Sequence, residues 1–152
     1  MRPEKVILLV EDNPNDELLT VRTLRRNHVT NAVVVARDGV DGLDYLFGTG
    51  VYAGRDVREL PAVALLDVNL PKLDGLEMLE IIREHPYLCS LPVIMFTSSK
   101  AESDLIALFD HQANRCVRKP LEGLRLMESF RQLGLDWIGP HLPSLVPSEE
   151  RV

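Results

Sequence analysis

The stretch Val63-Ala64-Leu65-Leu66-Asp67-Val68-Asn69-Leu70-Pro71, followed by Lys72-Leu73-Asp74-Gly75, decides the fold. Its apolar run 63–66 does not alternate, which is the pattern of a strand covered on both faces in a parallel sheet, and it stops at a carboxylate. Asp74-Gly75 then opens a segment that sets Leu76, Leu79, Ile82 and Arg83 on one helical face and closes before Pro86. Working outward, the same strand-then-helix unit recurs. Apolar runs at 6–10, 32–36 and 92–96, and a weaker one at 116–118, predict the other strands. Helices are predicted at 15–27, with Leu18, Val21 and Leu24 on one face behind Pro14, and at 39–47, 103–110 and 121–133, the last with Leu124, Met127 and Phe130 aligned. Strand ends fall roughly 25 to 32 residues apart, the length of a right-handed βαβ crossover, so the expected fold is α/β: an open, doubly wound (βα)5 parallel sheet. Residues 48–55 read as a long loop.

Composition bounds the function. The 152 residues are 45% hydrophobic and 26% charged, the profile of one globular domain, with 17 Lys plus Arg against 23 Asp plus Glu. A formal charge of −6 has the wrong sign for capturing nucleic acid or an anionic lipid surface. Cys89 and Cys116 show neither zinc-cluster spacing nor a disulfide framework, so a reducing compartment is expected. The apolar run after Met1-Arg2-Pro3-Glu4-Lys5 is too short for a signal peptide, and no run approaches a membrane span; a cytoplasmic protein is expected.

In open α/β sheets, ligands bind beyond the carboxyl ends of the strands. There the sequence places Glu11-Asp12-Asn13, Asp67-Val68-Asn69, Thr97-Ser98-Ser99 and Lys119-Pro120. Three carboxylates on one edge repel one another unless a cation neutralises them, and oxygen donors without His or Cys suit Mg2+ or Mn2+. A carboxylate beside such an ion and a lysine can act as nucleophile toward a phosphoryl group. Asp67 is the candidate nucleophile, Lys119 the ammonium within reach, and Thr97 the hydroxyl that could bond a new phosphoryl oxygen and turn added charge into loop movement.

These residues resemble the receiver domain of two-component response regulators. The resemblance rests on Glu11-Asp12, Leu65-Leu66-Asp67, Asn69-Leu70-Pro71, Asp74-Gly75, Thr97-Ser98 and Lys119-Pro120, and covers a receiver domain at 4–133. More narrowly, 10–16, the insert from Tyr45 to Tyr52 and the Pro-containing tail resemble single-domain regulators paired with bacterial phytochromes. The resemblance implies a flavodoxin-like sheet of order 2-1-3-4-5. It implies Asp67 as phosphoacceptor, and Mg2+ (or Mn2+) held by Asp12, Asp67, the Asn69 backbone carbonyl and, mainly through water, Glu11. It also implies phosphoryl contacts from Thr97, Ser98 and Lys119, and a cis bond before Pro120. A sensor histidine kinase of phytochrome type would be the donor, and output would pass through protein–protein contact with no attached output domain. One position departs from the pattern: the usual switch aromatic, three residues before the lysine, is Cys116.

Each signal has a plainer reading. Asp12-Asn13-Pro14 could be a helix cap, Asp67 a loop cap, and Lys119-Pro120 an ordinary strand exit; their joint placement at strand ends favours the phosphoacceptor. Gly48, Gly50 and Ala53 fit a dinucleotide fingerprint in spacing but follow a helix rather than the first strand. The four histidines show no ligand spacing. The arm at 134–152, with Trp137, Pro140, Pro143 and Pro147, is too short for a domain; it could fold back onto its own domain, but the expectation favours contact with a second copy, making a homodimer. Among rivals, an aspartyl phosphatase needs an acid/base two residues after its nucleophile, where Asn69 stands; a flavin carrier would not place Glu11-Asp12 after its first strand; and a receiver-like module acting without phosphorylation would not need Asp67 and Lys119. The expectation is a signalling protein rather than an enzyme.

Overall fold

The computed structural model describes residues 5–107 and 114–135, so Trp137 and most of the 134–152 arm lie outside the described residues. Five strands, β1 (Ile7–Val10), β2 (Val33–Ala36), β3 (Val63–Asp67), β4 (Val93–Thr97) and β5 (Asn114–Arg118), alternate with five helices, α1 (Pro14–Arg26), α2 (Gly39–Phe47), α3 (Gly75–Glu84), α4 (Lys100–Ala107) and α5 (Gly123–Gln132). The sheet is wholly parallel in the order β2-β1-β3-β4-β5, as expected.

Alternate residues of the strands serve different faces, which is why their sequences are apolar throughout. Leu8, Val10, Ala64, Leu66, Val93 and Met95 pack with Leu46 of α2, Met78, Leu79 and Ile82 of α3 and Ile106 of α4. Ile7, Leu9, Val63, Leu65, Ile94 and Phe96 pack with Leu24 of α1 and Leu126 and Phe130 of α5. Each buried Val, Leu, Ile, Met or Phe side chain contributes about 1.5–3 kcal/mol, so burial on both faces fixes the register of the strand ends.

Several local expectations are corrected. On α1, Leu18 is exposed and the buried positions are Thr20, Thr23 and Leu24. The two threonines can be buried because their hydroxyls donate to the Asp16 and Leu19 carbonyls one turn back, at 2.9 and 2.8 Å. On α5, Leu124 is 85% exposed and Leu126 takes the core position. Helix α4 begins at Lys100 rather than Ser103, because the Ser99 side chain accepts the Glu102 N–H at 3.1 Å and starts it earlier. The loop after α2 contains a 3-10 turn at Gly50–Tyr52. Its glycine spacing is turn chemistry: Gly48 caps α2 at φ 67°. His85, at the end of α3, has the rings of Phe47 and Tyr87 for neighbours, with centroids 5.2 and 6.2 Å away and planes tilted by 38° and 35°. No helix among the described residues is long and apolar enough to cross a membrane.

Candidate functional site

Parallel pairing of β1, β3, β4 and β5 as neighbours brings the expected residues to one edge. Register pairs Val10 with Leu66, Asp67 with Phe96 and Thr97 with Arg118. Glu11, Asp67, Thr97 and Lys119 therefore leave adjacent strand ends, beside the point where the chain order reverses around β1. One carboxylate oxygen each from Glu11, Asp12 and Asp67 lie within 4.8 Å of one another. Glu11 and Asp67 are buried, Asp12 is exposed.

Local chemistry holds each carboxylate in place. The Asn13 side chain caps α1 by accepting the Asn15 and Asp16 N–H groups at 2.8 and 3.2 Å, and the Asn13 N–H donates to Glu11 Oε2 at 3.3 Å. Asp67 Oδ1 accepts the Asn69 N–H at 3.1 Å, so the turn after β3 orients the carboxylate. Gly75 lets α3 start directly against that turn: a Cβ there would stand 2.2 Å from the Asp67 carbonyl oxygen. The Asp74 side chain and Glu77 form a reciprocal capping box that fixes the helix start.

Lys119 ties the edge together. Its peptide bond to Pro120 is cis, and its ammonium donates to Asp67 Oδ2 at 2.8 Å and Asp16 Oδ2 at 2.9 Å, with Glu11 Oε1 at 3.5 Å. Burial alone would push the lysine down. The hydrogen bonds to Asp67 and Asp16 and the charges of Asp67 and Glu11 outweigh that, and the ammonium is held charged above the usual lysine range. Glu11 shows the opposite imbalance. Burial, then hydrogen bonding and repulsion from Asp67, raise its carboxyl from 4.5 to about 7 against the lowering effects of Lys119 and the Asn13 N–H. One lysine does not neutralise this many carboxylates, so the donor set fits a hard divalent cation.

Thr97 is fully buried, and its hydroxyl donates to Glu102 on α4; the Ser99 N–H donates to that hydroxyl at 3.2 Å. Asn69 Nδ2 donates to the same Glu102 carboxylate at 3.3 Å. Ser98 is exposed. Cys116 is half-buried, its thiol pushed up by burial and 3.4 Å from the Ser103 hydroxyl. Two residues escaped the sequence reading. Asp16 lies in the first turn of α1, where an acidic residue is ordinary and marks no site; Glu102 sits on an amphipathic helix with nothing to mark it. The edge thus offers a buried carboxylate, a paired ammonium, a hydroxyl and a cation-seeking acidic cluster, the parts needed to form and hold an acyl phosphate.

Known proteins share this sequence pattern and fold. Residues 7–131 match the response regulator receiver domain. Response regulator Rcp1 of Synechocystis sp. is 38% identical over 117 residues, 77% of this chain and 78% of Rcp1. A crystal structure of the Mn2+-bound form of Rcp1 gives a TM-score of 0.68 at 33% identity, covering 92% of this chain and 99% of that one. The bacteriophytochrome response regulator AtBRR gives 0.82 at 43% identity, over 91% and 99% of the two chains. The phosphorylated cyanobacterial phytochrome response regulator RcpA gives 0.69 at 34%, over 93% and 99%.

Proposed function

Because this chain belongs to the response regulator receiver family of two-component signalling, we propose that Asp67 accepts a phosphoryl group from a phosphohistidine of a sensor histidine kinase. The observation that carries this is the buried Asp67 carboxylate, bonded to Lys119 at 2.8 Å within the acidic cluster. An Asp67 oxygen attacks phosphorus as the P–N bond breaks; the imidazole leaves with the bonding electrons and is protonated, and an aspartyl phosphate remains. Lys119 offsets charge on the transferring oxygens, and the Thr97 hydroxyl donates a hydrogen bond to one of them.

Glu11, Asp12 and Asp67, with the Asn69 carbonyl, would hold Mg2+, or Mn2+ in its place. The bound ion supplies charge neutralisation for the phosphoryl oxygens. The Mn2+-bound form of Rcp1 supports this reading. The protein signals rather than turning over a substrate, because Asn69 stands where a phosphatase of this kind needs an acid/base. A cytoplasmic location is read from the two free cysteines, which suit a reducing compartment. The phytochrome regulators among its relatives support a phytochrome-type kinase as donor. That pairing predicts faster transfer from a phosphorylated phytochrome-type kinase than from an unrelated kinase. The 134–152 arm is read as a contact between two copies; deletion should lower the sedimenting mass to that of a monomer, and an unchanged mass refutes it.

Phosphoramidate, a small P–N donor, tests the chemistry. With Mg2+ the wild type should gain one hydroxylamine-labile phosphoryl group that Asp67→Asn does not gain. Equal labelling of the variant would overturn the assignment.

A further inference from the structure

Two donors from neighbouring strand ends converge on one carboxylate of α4: Glu102 accepts the Thr97 hydroxyl through Oε1 and the Asn69 amide through Oε2. The next residue, Ser103, is in contact with the Cys116 thiol at 3.4 Å. The first turn of α4 therefore touches both the candidate phosphoryl edge and the β5 position that carries a cysteine in place of an aromatic. Cys116 carries no ring that could swing inward to follow Thr97, and the side chain of α4 that meets the Thr97 hydroxyl is Glu102, a contact through which α4 can respond.

We propose that Glu102 is that contact, a positioning residue that holds Thr97 and Asn69 while Asp67 is a free carboxylate and gives up Thr97 when Asp67 is phosphorylated. This rests on the reading of Asp67 as phosphoacceptor. A hydroxyl has one proton to donate, so Thr97 cannot serve Glu102 and a phosphoryl oxygen together. The phosphoryl group brings nearly two negative charges and three strong acceptor oxygens, and it repels the Glu102 carboxylate that competes for the same donor. Exchange of the Thr97 bond removes the tether between β4 and α4, which starts only three residues after Thr97. The beginning of α4 is thereby loosened, and the surface it presents to a partner changes.

The test combines intact mass with amide hydrogen exchange over residues 99–107, on the whole chain with acetyl phosphate and Mg2+. Phosphorylation of the wild type should add one phosphoryl group and speed exchange in this segment about 10- to 100-fold, the weight of one hydrogen bond to a charged acceptor. Glu102→Ala should exchange at the fast rate before phosphorylation and change little after it. Thr97→Val should also be fast at rest, and adding Glu102→Ala to it should change exchange by less than about twofold, because the shared bond is already gone. A wild type that gains the phosphoryl group with unchanged exchange overturns the relay and leaves Asp67 as acceptor. A Glu102→Ala effect undiminished in the Thr97→Val background reduces Glu102 to a helix-stabilising residue and equally overturns it. No mass gain in the wild type overturns both readings.

Discussion

Replacing Gly75 by alanine puts a methyl group where the end of β3 already stands. The added Cβ would lie 2.2 Å from the Asp67 carbonyl oxygen, 3.0 Å from its carbon and 2.9 Å from the Val68 Cα, all backbone atoms. Ordinary contact needs roughly 3.4 Å or more, so α3 and the strand end must separate by about 1 Å, an overpacking that costs about 1–3 kcal/mol. That shift also stretches the Gly75 N–H bond to the Val68 carbonyl, now 2.9 Å, worth about 1 kcal/mol. Alanine's better helix propensity returns up to about 1 kcal/mol. The net expectation is a loss of about 2 kcal/mol in urea unfolding followed by circular dichroism, with an unchanged m-value. Because the displaced backbone carries Asp67, phosphorylation by acetyl phosphate should slow by about 10- to 100-fold in protein that remains folded. A variant within about 0.5 kcal/mol of wild type and phosphorylated at the same rate would refute the claim that this glycine sets the position of the acceptor.

Two further outcomes follow from the charges at the edge. Glu11 has its folded pKa raised from 4.5 to about 7, so it contributes stability that is complete below about 4.5 and lost as pH rises through 7. In EDTA the wild type should lose about 1–3 kcal/mol between pH 5 and 7.5 relative to Glu11→Gln, and saturating Mg2+ should remove most of that difference; parallel pH profiles in EDTA would refute it. Lys119 is shifted upward, so its contribution persists to the ordinary lysine range and is lost only as pH rises through the raised value. Lys119→Met should cost about 2–4 kcal/mol at pH 8 by leaving the Asp67, Asp16 and Glu11 carboxylates facing one another, and less at pH 5, where Glu11, raised to about 7, is protonated and no longer adds its charge. Equal losses at the two pH values would mean that packing of the lysine stem, not its charge, is what matters.

The sheet and its chemical edge were legible because burial on both faces makes β1, β3 and β4 continuous apolar runs, and each run ends abruptly at Glu11, Asp67 or Thr97. The strand order turns those breaks into one site. Helix phases were less legible. Thr20 and Thr23 look like surface residues until their hydroxyls are seen to be satisfied within α1, and Leu124 looks like core although it points to solvent. Short β5 reads weakly because Asn114 and Arg115 occupy its start, a polar entry that no apolar pattern marks. Glu102 was invisible for a different reason. Its role depends on where α4 begins, and the Ser99 cap that sets this looks, in the run Thr97-Ser98-Ser99, like one more hydroxyl at a strand end.

Intact-mass spectrometry after incubation with acetyl phosphate, with and without Mg2+, on the wild type and Asp67→Asn, tests the central claim most directly. The account predicts one added phosphoryl group in the wild type that requires Mg2+ and is absent from the folded variant. No gain under any condition, or an equal gain in Asp67→Asn, would contradict it.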